Sequence, residues 1–97
     1  MITVNFFATL RLFLKLREIQ IDAVQEAPVR DILRKVEDLV FERTAKKFIG
    51  KFVDENGKMK HGTMILINGQ NILDTDGLDT LVKDGDTVAL FPQAGGG

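Results

Sequence analysis

The sequence predicts an α+β roll, a mixed sheet of about five strands with one main helix packed on one face. Three observations predict it. Residues 2–7 and 16–22 alternate apolar and polar side chains with the period of two that marks strands. Residues from Pro28 onward place Val29, Leu33, Val36 and Val40, with Ile32 and Leu39 beside them, at helical spacing. Met64–Ile67 and Thr87–Phe91 are apolar strand patterns separated by turn residues.

The first strand places Ile2, Val4 and Phe6 on one face and Thr3, Asn5 and Phe7 on the other. The second buries Ile19 and Ile21 while Glu18, Gln20 and Asp22 face water. Between them, 8–15 is apolar without Gly or Pro and reads as a wide packed loop. Pro28 suits a first helical turn, because its missing N–H has no partner there. The helix is expected to run into the forties, with Arg30, Arg34, Glu37 and Asp38 on its wet face. The Asp54–Gly57 turn signal points to a short hairpin between 51–53 and 58–60. Asn68-Gly69 returns the chain through 71–73, and 79–82 reads as a short helical turn. Lys83-Asp84-Gly85-Asp86 leads into the last strand, and Pro92 stops it. A right-handed crossover would set the first and last strands parallel or adjacent.

The 97 residues suit one domain with one modest core. Thirteen basic and fourteen acidic side chains give a net charge of -1, which exerts no general pull on nucleic acid or anionic membrane. The chain contains no Cys, Ser, Tyr or Trp, and His61 is its one histidine. Serine and cysteine nucleophiles are therefore excluded, and the usual zinc ligand sets cannot be assembled. The uncharged run 62–73 is far short of the ~20 residues that span a bilayer, and the first ten residues make a poor signal peptide. These features suggest a soluble, cytoplasmic domain that is not a complete enzyme.

After the last strand comes Gln93-Ala94-Gly95-Gly96-Gly97. Five extended residues reach roughly 17 Å, and glycine lets such a thin segment enter a narrow channel. On the tail alone, a frayed chain end and a working probe tipped by a carboxylate are equal readings. The tail has company, however. Phe7-Ala8-x-Leu10-Arg11, Ile67-Asn68-Gly69, Leu78-Asp79-Thr80-Leu81, Asp84-Gly85-Asp86, Val88-Ala89-Leu90-Phe91-Pro92 and Gly96-Gly97 occur in that order. Together they resemble the ubiquitin-like sulfur-carrier family of MoaD and ThiS, most closely the longer type of molybdopterin synthase small subunit. Such members often end Phe-Pro-Pro-Val-Ala-Gly-Gly. Here Gln93, Ala94 and Gly95 replace the middle three residues at unchanged length.

The resemblance implies a β-grasp domain over 1–92 and a flexible tail over 93–97. It implies that Gly97 is adenylated by an E1-like ATP-dependent activating enzyme and converted by a persulfide sulfur donor to a thiocarboxylate. Gly95 and Gly96 form the tail. The large catalytic subunit of molybdopterin synthase would receive the sulfur in molybdopterin biosynthesis. ATP and magnesium would belong to the activating enzyme, and this chain has no glycine-rich phosphate loop with its lysine. Sulfur supply to thiamine, tRNA or amino-acid biosynthesis, protein modification through Gly97, and a plain interaction module are the other readings.

A docking face is expected from alternation. Phe7 and Phe91 should stand beside the tail on the helix-free face, next to Pro92, joined by either Met64 and Leu66 or Ile65 and Ile67. The lysine-rich stretch of Arg43, Lys46, Lys47, Lys51, Lys58 and Lys60 reads as a solvated face. Asp74, Asp76, Asp79, Asp84 and Asp86 miss calcium-loop spacing and read as turn formers and a solubility rim. His61 reads as a loop residue.

Overall fold

Residues 1–22 and 25–93 are described by a computed structural model of the chain. The strands are β1 (Ile2–Phe6), β2 (Glu18–Ile21), β3 (Ala27–Pro28), β4 (Met64–Ile67), β5 (Gln70–Asn71), β6 (Leu81–Val82) and β7 (Thr87–Phe91). The helices are α1 (Ala8–Leu14) and α2 (Val29–Thr44), with short 3-10 turns at Ile49–Lys51, Ile72–Asp74 and Gly77–Asp79. Five strands form one mixed sheet in the order β2-β1-β7-β4-β5, and β3 and β6 form a small second sheet. β1 and β7 run parallel at its centre, in the register Thr3↔Thr87 to Phe6↔Leu90. All other pairings are antiparallel. This is the β-grasp roll expected from the sequence.

Alternation sorts each strand. Ile2, Val4, Phe6, Ile65, Val88 and Leu90 are fully buried beneath α2, which contributes Val29, Ile32, Leu33, Val36 and Val40. Asn68-Gly69 forms the β4–β5 turn with both residues at positive φ, 51° and 84°. Two left-handed residues in succession define the turn that matches strand twist, which is why Asn-Gly serves there.

Several local readings are corrected. Residues 8–14 are a helix, not a loop, because Leu10 and Leu14 stand four apart and share one buried face. Lys15 closes α1 in a left-handed conformation, its N–H donating to the Arg11 carbonyl at 2.8 Å. The short hairpin around Asp54–Gly57 does form, with the bridge Val53↔Met59 and the Lys60 N–H donating to the Phe52 carbonyl at 2.7 Å. The chain before it serves the core, burying Phe48 and Phe52 and turning through Ile49–Lys51. Residues 81–82 are strand β6, paired to β3 rather than helical.

A further correction concerns Glu37, placed on the wet face by spacing alone. Its carboxylate is half-buried and accepts the backbone N–H groups of Phe48 (2.9 Å) and Ile49 (2.8 Å). It thereby caps the 3-10 turn and anchors the Phe48 loop to α2. Phe48 in turn meets Phe6 edge-on, with ring centroids 5.7 Å apart.

Asp86 is also structural. Although read as part of the acidic rim, it is 6% exposed. Its carboxylate accepts from Asn68 Nδ2 (2.8 Å) and the Lys83 N–H (2.9 Å), clipping the β4–β5 turn to the start of β7. Burial pushes its carboxyl upward, but the Lys83 N–H, the Asn68 amide and the Lys83 ammonium outweigh it and hold the group below its ordinary value of 3.8.

These two carboxylates can be tested separately. Glu37→Ala strands two inward-facing N–H groups and should cost about 2–4 kcal/mol, read from urea unfolding at neutral pH. A lowered carboxyl pKa gives stability that is complete above the unfolded-state value of about 4 and fades as pH falls through the folded value. Asp86→Asn should therefore flatten the loss of melting temperature between pH 5 and pH 2, approximate bounds set by that pKa.

Candidate functional site

Because β1 and β7 are parallel neighbours, both deliver their C-terminal ends to the same end of the sheet. One pair past Phe6↔Leu90, Phe7 donates its N–H to the Leu90 carbonyl at 3.1 Å. Ala8 then takes a left-handed φ of 52°, turning the chain sharply into α1. The rings of Phe7 and Phe91 lie on the helix-free face, stacked with centroids 4.5 Å apart and planes within 4°. Arg11 adds to this stack. Its guanidinium carbon is 5.2 Å from the Phe7 ring centroid, and its Nε donates to the Phe6 carbonyl at 2.9 Å. Such contacts pair the electron-rich ring face with a cation.

Met64 lies opposite Phe91 in the β4–β7 register, so Met64, Phe91 and Phe7 form a row across three strands. Leu66, opposite Ala89, is the next position down. Met64 and Leu66 are half-buried while Ile65 and Ile67 are core, which settles the alternative left open by the sequence. Phe7, Phe91 and Pro92 are likewise half-buried. Phe7, Met64, Phe91 and Pro92 therefore gather at the end of the sheet where β7 finishes, with Leu66 farther along the same face toward its middle.

The tail begins there. Gln93 leaves Pro92 and packs on Gly62, where an added Cβ would stand 3.0 Å from the Gln93 Cγ. Gly62 also has φ +85°, so glycine suits both the turn and the close approach. Gly95, Gly96 and Gly97 lie outside the described residues.

Other sequence candidates lie elsewhere or act otherwise. His61 is exposed in the turn before Gly62. Lys46, Lys51 and Lys60 gather near the tail root through the loop 45–62, and Arg11 joins the site through α1. Sequence reasoning missed these placements because both depend on segments read as a loop and a hairpin. The four-residue spacing of Leu10 and Leu14 was the available signal. Among the described residues, no group of three or more His, Asp or Glu is arranged to hold a metal ion. Nor is any described helix long and apolar enough to cross a membrane.

A ubiquitin-like β-grasp domain carrying an apolar row beside a glycine-rich tail defines a class of protein, the ubiquitin-like carriers. More particularly, the chain belongs to the ThiS family, which it matches over residues 4–97. It is 33% identical over 93 residues to small archaeal modifier protein 3 of Haloferax volcanii, covering 96% of this chain and 95% of that one. Its fold is similar to a chain of the Amycolatopsis orientalis BexX/CysO complex, at 26% identity, TM-score 0.68 and complete (100%) coverage of both. It is also similar to a Pyrococcus furiosus protein provisionally described as molybdopterin converting factor subunit 1. That pair shares 28% identity and a TM-score of 0.62, covering 96% of this chain and 97% of the other.

The stack makes a prediction about stability. Phe91→Ala should cost the fold about 1–2 kcal/mol, well below the ~3–5 kcal/mol of a fully buried phenylalanine. A double-mutant cycle between Phe7 and Phe91 in urea should return a coupling of about 0.5–1.5 kcal/mol.

Proposed function

We propose that this chain is a sulfur carrier whose working group is the Gly97 carboxylate, and that it serves as the small subunit of molybdopterin synthase. The observation that carries the reading is the common placement of the tail root and the apolar row Phe7, Phe91, Met64. A partner seated on that row would have the tail directed into its own active site. Residues 1–92 act as the grasp domain and 93–97 as the probe.

A carboxylate is a poor electrophile because its charge is shared between two oxygens. An E1-like activating enzyme using ATP and magnesium would join the Gly97 carboxylate to the α-phosphate with loss of pyrophosphate. A persulfide's terminal sulfur would then attack the carbonyl carbon and expel AMP. Cleavage of the remaining S–S bond by a thiol leaves a thiocarboxylate on Gly97, nucleophilic enough to be transferred. This chain contributes the carboxylate, the tail and the face formed by Phe7, Met64, Leu66, Phe91 and Pro92. The large catalytic subunit would accept the sulfur. Activation of this kind would proceed in the cytoplasm, where ATP and thiols are available.

A second reading has a specific observation behind it. The relative that is 33% identical over nearly the whole chain is named a modifier. On that reading the same adenylate is attacked by a lysine amine instead of sulfur, and an isopeptide bond forms. The two readings share activation and divide at the nucleophile.

Incubation with an activating enzyme, ATP and a sulfur donor should raise the intact mass by about 16 Da, one oxygen replaced by sulfur. Removing Gly96 and Gly97 should abolish the change and leave the melting temperature within about 2 °C. An unchanged mass in the full chain would contradict the carrier reading. Lysine-linked conjugates without any thiocarboxylate would favour the modifier. Phe91→Ala should weaken binding of the partner by about 1–3 kcal/mol, measured by titration calorimetry.

A further inference from the structure

The groove beside the tail root has a chemistry of its own. It has a volume of about 430 Å³ and is lined by Thr9, Phe13, Lys51, Lys60, Pro92 and Gln93, among others. Phe13 is 38% exposed, and its neighbour Leu12 is 75% exposed. Two ammonium groups crowd the Phe13 ring, Lys51 Nζ at 4.3 Å and Lys46 Nζ at 4.9 Å from its centroid. Lys46 Nζ also donates to the Phe13 carbonyl at 2.6 Å. Three ion pairs occur among the described residues, and none uses Arg11, Lys46, Lys51 or Lys60. Arg11, Lys46 and Lys51 hold rings and carbonyls, while Lys60 lies within electrostatic reach of Asp54 without forming an ion pair with it.

Three acids lie at the other end or are already engaged. Asp84 meets the Met1 ammonium below β1, Asp79 pairs with Arg30, and Asp86 is buried before β7. In a chain of net charge -1 the groove is thus lined by two lysines and no carboxylate, and the tail root stands beside it. Asp54 accepts the N–H groups of Asn56 and Lys58, and with Glu55 it stands on the outer side of Lys60, outside the groove lining.

We propose that this groove seats an acidic polypeptide segment of the protein that takes up the tail, so that docking uses two surfaces. The outer sheet face supplies an apolar anchor, and the groove of Lys51 and Lys60 supplies charge complementarity that sets the tail's direction. The inference rests on the reading that a partner receives the tail, and it deepens that reading. A polypeptide fits better than nucleic acid. The groove is short, its exposed Phe13 ring is already engaged by ammonium groups, and the chain as a whole is slightly acidic.

The test is a titration of the isotope-labelled full chain with hexaglutamate, monitored by amide chemical shifts in about 50 mM salt, where screening is weak. Hexaglutamine and hexauridylate are the comparators. Shifts are expected to concentrate at residues 9–13, 46–51, 58–62 and 92–93. The affinity should fall about tenfold or more in Lys51→Ala/Lys60→Ala, and by a similar factor in about 300 mM salt. Both lysines are exposed, so the variant's unchanged spectrum elsewhere verifies its fold. Absent shifts, shifts spread over the surface, no effect of the double variant, or tighter binding of hexauridylate would each overturn the proposal. Hexaglutamate needs no activating enzyme. Its binding should persist when Gly96 and Gly97 are removed, so this test can fail independently of thiocarboxylate formation.

Discussion

The parallel pairing of β1 with β7 is the constraint on which the rest depends. The first and last strands are neighbours at the sheet centre, so both surfaces of the sheet are organised by their shared register. Inward, that register aligns Val4 with Val88 and Phe6 with Leu90 beneath α2. Outward, the next pair is Phe7 and Phe91, which is why two rings distant in sequence stack almost face to face. A one-residue slip would exchange the two faces, burying the rings of Phe7 and Phe91 and exposing the core.

The same pairing determines where the tail root stands. A parallel neighbour means that the chain leaving β7 emerges beside the chain leaving β1, not at the opposite end. The tail root is therefore surrounded by the segment that β1 leads into: Phe7, the Ala8 turn, α1 and Arg11. Loop 45–62 closes the other side. Glu37 anchors its first part, and Gly62 admits Gln93 at its end. The result suits a protein whose own side chains do little chemistry. On the proposed reading, reactivity is confined to the end group and the folded domain aims it.

Most of the sheet was legible in the sequence because alternation is a strong signal where one face is buried. Val88 and Leu90 against Ala89 and Phe91 show it directly, as do Ile65 and Ile67 against Met64 and Leu66. The helix α2 was legible for the same reason, at a different period. The elements that escaped were short or borrowed their stability from elsewhere. A seven-residue helix such as α1 has too few turns for periodicity to declare itself, especially with Leu12 and Phe13 apolar yet exposed. β6 has two residues and exists only through its pairing with β3. Glu37 and Asp86 were assigned to water because charge ordinarily goes there. The donors to Glu37 come from 11 and 12 positions away and the Asn68 amide reaches Asp86 from 18, which local spacing does not reveal. Of the site, the apolar row could be read from the strands. The cationic groove could not, because it is assembled from α1, the 45–62 loop and the tail root.

The central claim is that one end of the molecule, where β7 releases the tail, is the surface partners use. Cross-saturation from an unlabelled activating enzyme to the isotope-labelled chain tests it most directly, because it reports contact residue by residue without altering the protein. The account predicts the strongest transfer at Phe7, Met64, Leu66, Ala89 and Phe91, with Gln93 and the Lys60 turn beside them. Transfer concentrated on the exposed side of α2, at Arg34, Asp38 and Phe41, or at residues 74–84, would contradict it.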